Sequence, residues 1–296
     1  MPDFKLIVNA DDLGHSPGIN RAIKLGVLAG GITSATLLLT TPFKEDAIRD
    51  VITPLGLPVG LHLSLTEGRS IANPDSVPLL LNDNGMFHFS SARLFKTLFF
   101  PKPRHTPLLR QIRIELEAQM ALICDLGLKP THFDSHQHVH MIPAIFDILR
   151  ELGPRYGYTK CRFTYEPLMR SLPWDRLCDA YANRNMLKWL AVMAGSVRIR
   201  NTFRSPNAFR GLLASSCCTL QGLLAFSARA QRGEVVEIGV HVGGGEDLTI
   251  AQGYGNRICR FLMSTERERE LGIVTSRAFR EGVKAHGGTF VSFADY

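Results

Sequence analysis

Apolar positions along the chain follow two rhythms. Short apolar and β-branched runs at residues 4–8, 33–39, 58–65, 160–163, 234–242 and 289–293, with another beginning at Pro130, read as strands. The run 58–65 lacks alternation, as expected of a strand covered on both faces. Helical spacing fills the gaps: from Pro17 or Gly18 to about Ala29, closed by Gly30 and Gly31, then 43–51, 107–126, 143–152 and 266–286. In 107–126 the apolar positions are 108, 112, 116, 120 and 123, and Gly127 supplies the stop. Residues 73–104 break the pattern with Pro74, Pro78, Pro101, Pro103 and the turn Asn82-Asp83-Asn84-Gly85, and leave room for a short hairpin. Strands alternating with helices predict parallel β/α units. With no internal repeat and no linker, residues 1–296 are expected to form one domain, with inserted loops near 70–106 and a basic, mainly helical insertion near 170–232.

Composition adds little except in one place. The chain is 45% hydrophobic and 21% charged, ordinary for a globular protein with a sizeable core. The net charge of +7 is concentrated: residues 180–233 contain no Asp or Glu, while Arg184, Lys188, Arg198, Arg200, Arg204, Arg210, Arg229 and Arg232 lie there. The six cysteines, Cys124, Cys161, Cys178, Cys217, Cys218 and Cys259, form no CxxC pair and read as reduced thiols. The first apolar run is too short for a signal-peptide core, so a cytoplasmic protein is expected. The uncharged run 211–228 is interrupted by serines, a threonine, a glutamine and glycines, and falls short of the ~20 mainly apolar residues of a membrane span.

The chemistry gathers in four clusters, each at the C-terminal end of an expected strand, where β/α barrels assemble their sites. The first is Asn9-Ala10-Asp11-Asp12. In extended chain the two carboxylates point to opposite sides, so one could bind a cation while the other acts as base; capping of the following helix is the plainer alternative. The second is His62 in Gly60-Leu61-His62-Leu63, which taken alone reads as a core histidine. The third is His132-Phe133-Asp134-Ser135-His136-Gln137-His138-Val139-His140, hard to explain as packing; a histidine-rich solvated loop is the alternative. In a strand His132, Asp134 and His136 would share one face, and imidazole with carboxylate suits Zn²⁺ and several other divalent ions. The fourth is His241, before Gly243-Gly244-Gly245, placed where an acid could be exposed; an ordinary strand-end histidine is the alternative.

The motifs Asn9-Ala10-Asp11-Asp12-Leu13-Gly14, Gly60-Leu61-His62-Leu63 and Thr131 to His140 resemble the YdjC-like carbohydrate deacetylases, which include chitooligosaccharide deacetylases and a hopanoid-associated branch. The resemblance extends through Leu271 to Ser276 and is weakest over 165–230. It implies an α/β fold, a distorted (β/α) barrel of the polysaccharide-deacetylase type with mostly parallel strands. It further implies one divalent metal ion, Mg²⁺ or Zn²⁺, held by Asp12, His62 and His136, with Asp11 as general base and His241 as a charged general acid. His241 stands where the family usually has His-Pro; Val242 takes the place of that proline. Asp134 is expected to orient a ligand histidine, with His132, His138 and His140 behind the ligands or near substrate.

The implied substrate is an N-acetylated amino sugar, either a chitooligosaccharide or a lipid-linked sugar such as a hopanoid glycoside. The basic stretch 180–233, with Leu212, Leu213, Leu220, Leu223, Leu224 and Phe226 beside Trp189, Phe203 and Phe209, suggests peripheral contact with the inner, anionic face of a membrane. A core helix with a solvated basic face is the alternative. A non-catalytic metal- or carbohydrate-binding protein and a metal-dependent phosphoesterase are the rival functions. Nucleic acid ranks last because no zinc finger or RNA-recognition motif accompanies the charge. Nothing in the sequence decides between a monomer and a homodimer.

Overall fold

The computed structural model describes residues 3–167, 180–199, 203–213, 218–244 and 264–296. Residues 168–179, the parts 200–202 and 214–217 of the basic stretch, the cysteines Cys178, Cys217 and Cys259, and Gly245 lie outside the described residues. Cys124, Cys161 and Cys218 are free thiols.

β1, Phe4–Leu13, organises the rest. Its Leu6, Val8 and Ala10 enter the main hydrophobic core, while Ile7 packs with Phe293 and Tyr296. Period-two alternation thus separates a helix-covered outside from the inside of a curled sheet. β2 (Ser34–Leu37), β3 (Val59–Leu63) and β4 (Phe133–Ser135) extend to one side of β1. β5 (Ala208–Arg210) and β6 (Val235–Val240) extend to the other, and β7 (Gly288–Phe290) pairs with the start of β1. The order is β4-β3-β2-β1-β6-β5, and every one of these pairings is parallel.

Irregular chain joins the two edges. The Arg162 amide donates to Phe133 O (3.0 Å) beside β4, and the Phe209 amide of β5 donates to Tyr165 O (2.8 Å). The result is a distorted β/α barrel. Its inner end is filled by Phe293, which stacks on His132 with ring centroids 3.5 Å apart. Gly60 makes that layer fit, since a Cβ there would lie 2.4 Å from the His132 ring.

The helices are α1 (Pro17–Leu28), α2 (Ser91–Leu98), α3 (Thr106–Asp125), α4 (Pro143–Leu152), α5 (Ala180–Ile199), α6 (Leu220–Ala228), α7 (Thr265–Thr275) and α8 (Arg277–Ala285). A short helical run from Lys44 to Leu55 includes a π turn. α1 begins as its sequence suggests, with Ser16 Oγ accepting from the Ile19 amide (3.2 Å) and Pro17 in the first turn.

The structure departs from expectation in three places. β1 runs on through Asp11 and Asp12 instead of ending before them. β4 stops at Ser135, so His136 begins a 3₁₀ turn and does not share a strand face with His132 and Asp134. The expected helix 266–286 is two helices, because Ser276 caps the second by accepting from the Phe279 amide (3.1 Å). Within the basic stretch, β5 lies between helices α5 and α6 and pairs with β6.

The apolar residues nominated for membrane contact are largely used inside. Leu212, Leu213, Leu223, Phe226 and Phe209 are buried, and Phe203 packs edge-on against Phe133. Among the described residues no helix is long and apolar enough to cross a membrane. In the 73–104 excursion, antiparallel bridges Arg69–Met86 and Leu81–Phe87 flank the Asn82–Gly85 turn.

Candidate active site

The paired carboxylates owe their arrangement to a bulge. The β1–β2 register shifts between Ala10 and Leu13, and Asp12 adopts φ 67°. A non-glycine residue held there costs about 1–3 kcal/mol, a strain that concentrates at functional sites. The bulge cancels simple alternation, so Asp11 and Asp12 both reach one site at the barrel mouth.

Asp12 Oδ1 lies 3.0 Å from His136 Nδ1 and 3.5 Å from His62 Nε2. The three donor atoms all fall within 4.8 Å of one another and are buried. Around a tetrahedral ion with bonds of about 2.0–2.2 Å, neighbouring donors stand roughly 3.4 Å apart. The residues therefore fit a divalent ion, and three protein donors leave a position open. Asp12 offers a single oxygen, because its Oδ2 accepts from Arg267 Nη2 (2.6 Å).

Each of these two imidazoles has a carboxylate on its far nitrogen, the arrangement that fixes ring orientation and raises basicity in metal-binding histidines. Asp134 Oδ1 is 2.6 Å from His62 Nδ1, and Glu67 Oε2 is 2.8 Å from His136 Nε2. Thr36 Oγ1 steadies the first pair by donating to Asp134 Oδ2 (3.2 Å). Burial opposes charge on both rings, yet Asp134 and Asp12 lift His62 to about 10, and Glu67 and Asp12 lift His136 to about 9. Burial likewise opposes the Asp12 charge, but His136, His62 and Arg267 hold it well below the carboxylate range. An ion entering this set would have to displace protons from the imidazoles.

A second triad, Asp11, His62 and Asp134, also converges, but a protein cation already serves it. The Arg162 guanidinium is fully buried. It grips Asp11 through Nη1 and Nη2 (2.7 Å each), Asp134 through Nη1 (2.7 Å) and Glu237 through Nε (2.7 Å). Fixed guanidinium in this place argues for one exchangeable ion, not a two-metal site.

His241 follows β6 directly, its Nε2 3.8 Å from Asp11 Oδ2. Its backbone amide donates to Glu270 Oε2 (2.6 Å). Burial pulls His241 down to about 4 against the pull of Asp11 and Asp12. Burial thus works against the charged ring that a general acid needs, while the two neighbouring carboxylates favour it.

The remaining histidines lie outside the triad. His132 sits under Gly60 on Phe293, and burial takes it down to about 3. Ser135 Oγ and Arg162 O hold the ring of His140 (2.6 and 3.1 Å). His138 meets Thr164 Oγ1 (3.3 Å) and the Phe209 ring, at φ 58° beside Gln137 at φ 56°. Sequence inspection missed Glu67, His15, Arg162, Glu237, Arg267 and Glu270. Only Glu67, five residues past His62, carried a local hint.

The fold and the site together define a β/α-barrel protein with a candidate single-ion centre at the C-terminal ends of its strands. Residues 5–285 match the family described as YdjC-like protein, and the chain belongs to that family. A Geobacillus stearothermophilus protein named carbohydrate deacetylase is 39% identical over 161 residues, which are 53% of this chain and 58% of that protein. A Mus musculus protein of the same name is 29% identical over 307 residues, covering 97% of this chain and 93% of the relative. The fold matches a crystal structure from Enterococcus faecalis, solved under a provisional assignment to cellobiose-phosphate cleavage. That match has a TM-score of 0.76 at 23% identity, over 99% of this chain and 98% of that one.

Proposed function

We propose that the chain is a metal-dependent hydrolase that removes the acetyl group from an N-acetylated amino sugar. The observation that carries this is the convergence of Asp12 Oδ1, His62 Nε2 and His136 Nδ1, with Asp11 and His241 beside them. Relatives named carbohydrate deacetylase support the substrate class. The donor set suits Zn²⁺, with Mg²⁺ the second candidate. When bound, the ion supplies a Lewis acid that polarises the amide carbonyl and acidifies the attacking water.

The chain's own residues handle the protons. Asp11 takes one from water as its oxygen adds to the carbonyl carbon, and Arg162 keeps that carboxylate in place. The C–N bond then breaks, and the sugar nitrogen must gain a proton to leave as an amine. His241 delivers that proton and recovers one from its neighbour. Asp11 Oδ2, 3.8 Å away, is the carboxyl that has just acquired one. The products are acetate and the free amino sugar.

The test is acetate release from N-acetylglucosamine, chitobiose and a lipid-linked N-acetylglucosamine, each after chelation and again with Zn²⁺ or Mg²⁺ restored. Metal-restored release from at least one is expected. No release from any, with ion bound, would sink the deacetylase reading.

A further inference from the structure

We propose that Glu67 and His15 are positioning residues of the metal centre, and that Glu67 fixes Nδ1 of His136 as the nitrogen presented to the ion. This rests on the metal centre proposed above. The two ligand histidines face Asp12 with opposite nitrogens: His62 with Nε2, its Nδ1 turned to Asp134, and His136 with Nδ1, its Nε2 turned to Glu67. An imidazole that donates N–H from one nitrogen offers its lone pair only at the other. The carboxylate behind each ring therefore selects the coordinating atom.

Glu67 is built to hold that position. Its carbonyl accepts from Thr40 Oγ1 (2.8 Å) and Ser64 Oγ (3.0 Å), and its amide donates to Ser64 Oγ (3.2 Å). The next residue, Gly68, has φ +86° and no room for a side chain, since a Cβ would lie 2.2 Å from Thr40 O. The second carboxylate oxygen of Glu67 bonds the His15 ring. His15 belongs to the same turn as Asp12, because its amide donates to Asp12 O (3.0 Å). The contacts thus close a ring, Asp12 to His136 to Glu67 to His15 and back, with all four residues buried. A shift of Glu67 would reach two of the three metal donors.

The test is Zn²⁺ binding to the metal-free full chain, read by competition with a chromophoric chelator, together with ¹⁵N–¹H NMR of the Zn²⁺-loaded histidines. Glu67→Gln is expected to weaken Zn²⁺ binding about 10–100-fold, the usual cost of losing such a partner, and His15→Gln to weaken it less. In the wild-type spectrum His136 should be ligated through Nδ1 with its proton on Nε2, and His62 through Nε2. Unchanged affinity in Glu67→Gln, or His136 ligated through Nε2, would overturn the inference and leave the metal centre standing. If Glu67→Gln does not fold, the wild-type spectrum decides. A wild-type chain that binds no Zn²⁺ would overturn the centre itself and this inference with it.

Discussion

Two neighbouring clusters of buried charge in this barrel answer one problem in different ways. In the interior, Asp11, Asp134 and Glu237 gather on Arg162, a cation tethered to the chain and not exchangeable. Burial lifts Glu237 to about 7 despite Arg162, so the interior need not carry three full negative charges. At the mouth, Asp12 and Glu67 gather on His62 and His136, whose charge can leave as protons and uncover lone pairs. Guanidinium cannot do this, because it stays protonated and has no acceptor. The pairing that stabilises is thus the one that cannot exchange, and the pairing that can exchange is the candidate site.

Substitutions should separate the two regions. The largest effect is expected of His136→Ala, which removes a donor at the mouth: loss of stoichiometric ion binding and a fall in acetate release of at least about 10³-fold, with the fold intact by circular dichroism. Asp11→Asn, at the boundary, keeps one acceptor for Arg162 but removes the base. Turnover should fall about 10²–10⁴-fold while the ion stays bound; near-normal turnover would show that Asp11 is not the base. Arg162→Met strands buried carboxylates and should cost about 3–5 kcal/mol in denaturant unfolding. Should it abolish ion binding in a chain that remains folded, the two regions are not separable as described.

Glu115 provides a reference away from both. It is buried on α3, accepts from the Ile71 and Ala72 amides (3.0 Å each), and burial lifts it from 4.5 to about 7. The folded chain therefore binds this proton more tightly than the unfolded one. The stability contributed is full below pH 4.5 and is lost as pH rises through about 7. The displacement corresponds to roughly 3 kcal/mol, and Glu115→Gln should flatten that slope in pH-dependent denaturation. The smallest effect is expected of Gly60→Ala, which crowds a His132 ring already backed by Phe293: about 1–3 kcal/mol of overpacking, seen as a lower Tm without loss of ion binding.

Much of the candidate site was legible before any fold was known. The Asp11-Asp12 pair, His62, the histidine cluster and His241 sit at or just past the ends of β1, β3, β4 and β6, as the strand pattern required. Arg162 and Arg267 were not legible, and Glu67 only through its nearness to His62, since single charged residues in loops and helices carry no periodic signal. Leu223, Phe226 and Phe209 are buried, as the core-helix alternative expected; an apolar stripe reads the same in sequence whether a core or a lipid surface covers it.

By itself the sequence determined the alternation of strands and helices, the parallel barrel class and the residues able to hold an ion, because hydrophobic period and side-chain chemistry are local properties. Tertiary structure alone decided which oxygen of Asp12 faces the histidines, which nitrogen of each ring is turned to a carboxylate, and that Arg162 occupies the second triad. Those outcomes depend on a bulge at Asp12 and on contacts between residues as far apart as Asp12 and Arg267, whose distance no spacing along the chain encodes.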